Sequence, residues 1–228
     1  MHKSQLVKEF YSELKFPGPY SIENLEFYDL EIVNNYLKFI DNRMPMSGRV
    51  LDVGCGSGFI INFLARRHPH LKFDAIDFSD SIDYADNFSQ KVGINNITYI
   101  KEDFLKWKSN NTYDLILCNG VLHHIPEYLK AIKKIKKLAG NKIIVGIYNY
   151  YGKLAKKIIN VKFRNNVLYK DQVECPFELT FTDNEFRLLF LDYKIDNIHP
   201  SVNNRFVDSL NLFNYNNGGL TLYCFLPG

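Results

Sequence analysis

The chain has 228 residues, of which 46% are hydrophobic, and this is enough apolar surface to bury a full core within one domain. No run of about 18 apolar residues could cross a bilayer, and the first residues lack the apolar core of a secretory signal, so we expect a cytoplasmic protein without a membrane span. The four cysteines are scattered without a CxxC pair, which disfavours a disulfide framework or a zinc cluster, and no metal site is expected.

The net charge of +3 hides an uneven distribution of charged residues. Residues 130–170 contain 12 Lys and Arg and no Asp or Glu, which leaves 16 basic and 25 acidic residues elsewhere. In one interpretation the lysines solvate the outer face of a helix whose Leu129, Ile132, Ile135 and Leu138 point inward. In the other, the basic segment attracts an acidic substrate, a nucleotide or an anionic membrane, although no aromatic-interleaved nucleic-acid motif accompanies it.

Periodicity predicts helices and strands that alternate along most of the chain. The predicted helices cover 6–14, 25–40, 59–64, 79–92, 129–138 and 182–191, the last one beginning with a Thr-Asp-Asn-Glu capping box. The predicted strands cover 50–53, 73–76, 97–100, 113–118, 142–148, 193–198 and 220–226. Strands separated by helices favour a doubly wound α/β fold with a mostly parallel sheet, in which ligands bind at the carboxyl ends of the strands.

The predicted elements divide a single domain, residues 1–228, into four parts. An N-terminal helical cap (1–48) precedes the core (49–148), and the C-terminal helix and last two strands occupy 182–228. The remaining residues, 149–181, form an insertion of about thirty residues at a position where connections of about two to six are usual. An insertion of this length at the carboxyl edge of the sheet predicts a lid over the ligand site.

A glycine turn with a carboxylate beside it follows the first predicted strand. Gly54, Gly56 and Gly58 permit a tight turn and allow a ligand to approach the backbone, and the amides there offer hydrogen-bond donors. A dinucleotide-binding turn would have its third glycine at the position of Phe59, and Asp52 would repel a pyrophosphate. The pattern therefore favours a cofactor whose nearest end is zwitterionic rather than polyanionic.

Residues 50–58, Val-Leu-Asp-Val-Gly-Cys-Gly-Ser-Gly, resemble the first motif of the class I S-adenosylmethionine (SAM) dependent methyltransferases. Residues 113–126 are similar to the fourth motif of the branch that methylates small molecules, of the ubiquinone and menaquinone biosynthesis type. The resemblance implies SAM as cofactor and S-adenosylhomocysteine (SAH) as product. It also implies a Rossmann-like sheet of seven strands, mostly parallel, with a reversed last strand.

The same resemblance implies roles for individual residues. Asp77 would hold the ribose hydroxyls, Asp103 would accept a hydrogen bond from the exocyclic amine of adenine, and Phe104 would cover the ring. Asp103 has an alternative role, since it could instead cap a turn through Phe104. The complete set of implied cofactor-binding residues is Asp52, Gly54, Cys55, Gly56, Gly58, Asp77, Phe78, Ser79, Asp103, Phe104, Asn119, Gly120 and Val121.

Methyl transfer from SAM is an in-line displacement, and a general base is needed only when the acceptor atom carries a proton. His123 and His124, after the fourth strand, are the candidate bases because imidazole titrates near neutral pH, although either ring could serve only for packing or capping. The candidate substrate-binding residues combine aromatic faces with polar tips. They are Tyr11, Tyr20, Tyr148, Asn149 and Tyr150.

These observations predict a methyltransferase that acts on an oxygen, nitrogen or carbon atom of a small molecule held under a lid of the N-terminal helices and the insertion. Three alternatives stay open: a methyltransferase acting on tRNA or protein, a SAM-binding module without catalysis, and a nicotinamide oxidoreductase. The Asn-Pro-Pro-Tyr signature of amino-directed nucleic-acid enzymes is absent, because 119–122 are Asn-Gly-Val-Leu, so a nucleic-acid partner is not expected. An acidic substrate, and a monomeric or homodimeric state, are compatible with the sequence.

Overall fold

A single sheet forms the centre of the protein in the computed structural model, which describes residues 3–14, 37–150, 175–199 and 220–228. Its seven strands are β1 (Arg49–Val53), β2 (Lys72–Asp77), β3 (Ile97–Lys101), β4 (Tyr113–Asn119), β5 (Ala139–Tyr148), β6 (Tyr193–His199) and β7 (Leu220–Pro227). The helices are α1 (Lys3–Leu14), α2 (Phe59–Arg67), α3 (Ser81–Lys91), α4 (Tyr128–Leu138) and α5 (Asp183–Leu188), with a short 3₁₀ helix at Leu122–His124.

The strand order is β3-β2-β1-β4-β5-β7-β6. The first five strands are parallel, and β7 runs antiparallel to both of its neighbours, β5 and β6. The predicted seven-stranded α/β sheet with a reversed last strand is therefore confirmed. β1 lies between β2 and β4, so the chain order reverses beside it, and ligands bind at such a switch point.

Near-continuous apolar sequences explain why the central strands are buried. In β1 every residue after Arg49 is buried, and in β4 Leu115, Ile116, Leu117 and Cys118 are all inaccessible to solvent. Parallel strands covered by helices on both faces require this composition instead of an alternating one. The burial fixes the register of β1 against its neighbours and so fixes where the loops after each strand emerge.

The predicted elements agree with the observed ones to within about three residues at most boundaries. β5 begins at Ala139 directly after α4, three residues before the predicted strand at 142. The capping box is present, since the Thr182 side chain accepts a hydrogen bond from the Glu185 amide and Glu185 accepts one from the Thr182 amide.

Much of the predicted helix at 25–40 lies outside the described residues, as do 151–174 of the insertion; residues 37–41 are helical. Among the described helices, none is long and apolar enough to cross a membrane.

One predicted core position on α4 is wrong. Leu129 is 58% exposed, whereas Ile132, Ile135 and Leu138 are buried as predicted, together with Ala131. At 100° per residue, position 129 points more than a quarter turn away from the centre of the buried stripe and lies on the same side as Lys133. The last predicted helix is also shorter than expected, because α5 ends at Leu188.

This difference gives a matched pair of substitutions on one helix. Ile132→Ala should lower the free energy of unfolding by about 2–5 kcal/mol, because it removes a buried side chain and leaves a cavity. Leu129→Ala should change it by less than about 0.5 kcal/mol, because its side chain is largely in solvent. Urea denaturation followed by circular dichroism measures both values. Equal losses for the two variants would contradict the orientation of α4.

Candidate functional site

A cavity of about 640 Å³ opens at the carboxyl ends of β1, β2, β3 and β4, with α1 forming one wall. Twelve of the residues predicted for the site line this cavity. They are Tyr11, Gly54, Gly56, Asp77, Phe78, Ser79, Asp103, Phe104, Asn119, Gly120, Val121 and His124. The structure thus brings ten of the thirteen predicted cofactor residues, one predicted base and one predicted substrate residue to a single edge of the sheet.

The other predicted site residues lie away from the cavity lining. Asp52 lies in β1, and Cys55 and Gly58 lie within the glycine turn, but none of the three lines the cavity. His123, Tyr148 and Asn149 are buried beside the cavity, while Tyr150 is 45% exposed. Tyr20 lies outside the described residues.

Sequence reasoning did not find several residues of the cavity wall. Ser4, Gln5, Val7 and Lys8 project from α1, and Val7 is almost fully buried. The amphipathic pattern of α1 predicted that one face is covered. That pattern could not show which part of the sheet it covers.

Two positions of the glycine turn after β1 lie so close to neighbouring side chains that they have no room for a side chain of their own. Gly54 has a φ of 75°, and a Cβ there would lie 2.3 Å from Cγ2 of Val121, in the turn after β4. Gly58 has a φ of 82°, and a Cβ there would lie 2.4 Å from Cβ of Ala85 in α3. The first contact lets the turns after β1 and β4 meet, and the second lets α2 begin against α3.

Asp77 joins the glycine turn to the turn after β2. Its Oδ2 accepts a hydrogen bond of 2.8 Å from the amide of Gly56, and its Oδ1 accepts bonds of 2.8 and 2.7 Å from the amide and hydroxyl of Ser79. Burial nevertheless raises the pKa of Asp77, and these hydrogen bonds only partly counteract it. The amide of Phe78 also lowers this pKa, and Asp77 lines the cavity, where its carboxylate can accept from a ligand hydroxyl.

A second buried carboxylate lies directly behind the glycine turn. Burial raises the pKa of Asp52 to about 7, and the negative charge of Asp77 adds to this effect. The thiol of Cys55 has a pKa raised by burial and by the same two carboxylates. The region behind the turn therefore favours a ligand that brings positive charge, because a cation would stabilise the ionised form of Asp52.

The segment after β3 folds into a turn that carries an aromatic ring to the cavity. Oδ1 of Asp103 accepts a hydrogen bond of 2.9 Å from the amide of Leu105, and the main-chain oxygen of Asp103 accepts from the amides of Lys106 and Trp107. Phe104 is 7% exposed, lines the cavity and packs against Trp107. The capping role considered for Asp103 is thus present, but it acts through Leu105. Its Oδ2 lies 3.9 Å from the exposed ammonium of Lys106 and accepts no hydrogen bond among the described residues.

The two histidines of the 3₁₀ helix have different surroundings. The ring of His123 is fully buried and lies 4.0 Å, centre to centre, from the ring of Tyr148. His124 lines the cavity, with Nε2 2.9 Å from the hydroxyl of Tyr11 and Nδ1 2.9 Å from the main-chain oxygen of Phe177. The geometry thus makes His124, and not His123, the candidate base that faces a ligand.

The two hydrogen bonds of His124 assign its tautomer. A carbonyl oxygen can only accept, so Nδ1 carries a proton that it donates to Phe177, with Sγ of Cys175 3.3 Å from the same nitrogen. In the neutral ring Nε2 then has a lone pair, which accepts the hydroxyl proton of Tyr11. The amide of Leu179 also donates to the main-chain oxygen of His123, so residues 175–179 run along the 3₁₀ helix.

Together these features define a sheet-edge site that presents carboxylates to hydroxyl and amine groups, an aromatic face to a planar ring, and negative charge to a cation. Known proteins that this chain resembles in sequence are named as methyltransferases. A family profile described as Methyltransferase domain matches residues 46–202. The ubiquinone biosynthesis O-methyltransferase of Coxiella burnetii is 30% identical over 178 residues, which cover 73% of this chain and 75% of that protein.

Two further comparisons are more limited. A probable (S)-tetrahydroprotoberberine N-methyltransferase 2 from Papaver bracteatum is 31% identical over 87 residues, 38% of this chain, and the match spans only 24% of the poppy protein. The crystal structure of magnesium protoporphyrin IX methyltransferase from Synechocystis PCC 6803 with bound SAM superposes with a TM-score of 0.64. That match covers 100% of this chain and 98% of the other at 15% identity, and it shows the shared fold.

The chain belongs to the class I SAM-dependent methyltransferases, as the glycine motif predicted.

The pKa of Asp52 predicts how SAM affinity changes with pH. Below pH 7 the free protein holds a proton on Asp52 that the cationic ligand disfavours, so each unit of falling pH should weaken SAM binding by up to about tenfold. SAH lacks the sulfonium charge and should depend less on pH. Asp52→Asn should flatten the dependence, whereas Asp192→Asn, at an exposed carboxylate before β6, should not. Calorimetric titration from pH 6 to 8 measures this, and equal slopes for Asp52→Asn and wild type would contradict it.

Proposed function

We propose that this chain transfers the methyl group of SAM to an oxygen or nitrogen atom of a small molecule. One observation carries the proposal: a single cavity of about 640 Å³ is lined both by ten of the predicted cofactor residues and by Tyr11 and His124. Ligand pockets of small molecules have volumes of about 300–1,000 Å³, so the cavity has the right scale for a cofactor and an adjoining acceptor. In this arrangement donor and acceptor share one enclosed space, as an in-line displacement requires.

The cofactor orientation follows from the chemistry of the lining. The carboxylate of Asp77, which lines the cavity, suits a ribose hydroxyl, and Oδ2 of Asp103 suits the exocyclic amine of adenine. The Phe104 ring would cover the adenine face. The methionine end would then lie at the glycine turn, where the buried carboxylate of Asp52 favours positive charge.

Asp77→Ala tests this orientation. The variant loses the ribose acceptor and also releases the amide of Gly56, so SAM and SAH should both bind at least about a hundredfold more weakly, as expected when a charged hydrogen-bond partner is removed. Calorimetric titration of both ligands measures the loss. As a control, Asp83→Asn changes an exposed carboxylate on α3 and should bind SAH nearly as wild type. Wild-type affinity in Asp77→Ala would reject the proposed orientation.

The acceptor would lie beside Tyr11 and His124, beneath a cover of two separate segments. α1 forms a wall of the cavity, and residues 175–179 contact the 3₁₀ helix. Both meet at His124, which hydrogen-bonds Tyr11 from the first segment and Phe177 from the second. This supports the predicted lid, which would exclude water from the sulfonium carbon. The names of the relatives, which include an O- and an N-methyltransferase, support a small-molecule acceptor.

The Tyr11–His124 pair can remove a proton from the acceptor. Nε2 is the basic nitrogen of the ring, since Nδ1 already donates to Phe177. When an acceptor hydroxyl attacks the methyl carbon, its proton would pass to Tyr11 while the Tyr11 hydroxyl proton passes to Nε2. A protonated amine would have to lose its proton by the same route first, because only then does its nitrogen have the lone pair that attacks. The imidazolium that forms keeps its hydrogen bond to the carbonyl. The pair therefore suits an acceptor that holds a proton at neutral pH, such as a hydroxyl or a protonated amine.

Substitutions at these two residues separate catalysis from cofactor binding. His124→Ala and Tyr11→Phe should each lower kcat by about 10²–10⁴, with SAH affinity within about threefold of wild type. The measurement is methyl transfer from labelled SAM to a panel of small hydroxyl and amine compounds. His70→Ala, at an exposed histidine before β2, is the control. Near-normal turnover in His124→Ala would remove it from catalysis.

The same assay decides between the alternatives. Labelled product only with tRNA or protein would replace the small-molecule proposal. Strong SAM binding without turnover on any substrate class would favour a binding module. An acidic acceptor stays a separate prediction. The described part of the cavity wall carries both signs of charge, with Lys8, Lys101 and Lys106 beside Glu102 and Glu127. The basic residues at 153–164, on which the prediction was based, lie outside the described part of the chain.

A further inference from the structure

Lys134 of α4 extends toward the turn that follows β3, unlike its exposed neighbour Lys133. Its ammonium group donates hydrogen bonds to the main-chain oxygens of Phe104 and Trp107. The same nitrogen lies 4.8 Å from the centre of the Phe104 ring and 5.5 Å from that of Trp107. One lysine thus contacts two main-chain oxygens and two rings of this turn.

Among the described residues, no main-chain amide donates a hydrogen bond to either of these two oxygens. Its own hydrogen bonds involve the side chain and main-chain oxygen of Asp103, at the other end of the turn. The ammonium of Lys134 therefore closes the turn from the side of α4, and each oxygen left without it would face a partly buried environment. Burial lowers the pKa of Lys134, while the charges of Asp103 and Glu102 oppose that shift, so the lysine and these carboxylates attract each other.

We propose that Lys134 is a positioning residue for the adenine of SAM. It fixes the Phe104 ring and, through the closed turn and its charge, the carboxylate of Asp103, without touching the cofactor itself. The inference rests on the proposed cofactor orientation, in which Asp103 and Phe104 hold the adenine. It adds that selectivity for adenine depends on a helix that follows β4 and contributes no residue to the cofactor motifs.

Loss of the ammonium should affect one part of the ligand more than the rest. Without it the turn can open, so Asp103 and Phe104 move relative to the adenine, while Asp77 and the glycine turn keep their own hydrogen bonds. Recognition of the exocyclic amine should therefore weaken more than recognition of ribose and methionine. A general loss of stability would instead weaken all ligands alike.

The test compares SAH with S-inosylhomocysteine, in which an oxygen replaces the exocyclic amine. Wild type should bind SAH at least about tenfold more tightly than the inosine analogue, because Asp103 would be left without a donor. In Lys134→Met, SAH affinity should fall by about tenfold and the two ligands should bind within about threefold of each other. Lys134→Arg retains the donors and the charge and should restore most of the preference. Lys133→Met should behave as wild type.

Calorimetric titration gives the four affinity ratios, with circular dichroism to verify folding. A folded Lys134→Met with the wild-type ratio would overturn the inference while leaving the cofactor site intact. Wild type that binds both ligands equally would show that Asp103 does not read the amine, and would overturn it as well. Wild type that binds neither would reject the proposed cofactor site itself. If Lys134→Met fails to fold, the same ratio measured on Lys134→Gln decides.

Discussion

The candidate site depends first on the hydrogen bonds of Asp77. This carboxylate is the last residue of β2, and it holds both the amide of Gly56 in the turn after β1 and the amide and hydroxyl of Ser79 at the approach to α3. Two neighbouring parallel strands end at the same edge, so one side chain can tie the two turns that leave them. The shape of the cavity floor follows from this contact. The Asp77 carboxylate lines the cavity, where it would face a ligand.

The hydrogen bonds do not offset the whole electrostatic cost of this arrangement. Burial raises the pKa values of both Asp77 and Asp52, and the two carboxylates disfavour each other's charge. A cationic cofactor relieves that repulsion, whereas a pyrophosphate would increase it. In the sequence, the acidic residue before the glycines argued against a dinucleotide. In the folded protein the same residue, Asp52, is a buried carboxylate next to a second one, and a pyrophosphate would add further negative charge there. The selectivity lies in the charge of the site as much as in its shape.

Most of the sheet and the cofactor side of the site could be predicted from the sequence because each part is local. The glycine turn, Asp77 and the turn at Asp103 each follow directly on a buried strand, so strand order alone brings them together. Contacts between distant segments could not be predicted in the same way. Tyr11 and His124 are 113 residues apart in the chain, and nothing in either motif specifies their hydrogen bond. The error at Leu129 has a related cause, since an apolar residue type indicated burial where the helical angle did not.

The division between local and distant contacts coincides with a division of roles in the proposed mechanism. Residues that would hold SAM lie on loops between strands that are fixed by core packing, and the acceptor side would be built from α1 and residues 175–179. These two segments meet at His124 and also where the ammonium of Lys3 lies over the ring of Phe177. Residues 175–179 are remote from the hydrogen bonds of Asp77, whereas α1 also contacts Asp80 and Ser81, just after the Asp77–Ser79 turn. Lys134 stands between the two groups, because it acts on the cofactor side from a helix outside the cofactor motifs. The turn at residues 103–107 is thus a part of the cofactor side whose geometry depends on a helix that follows β4.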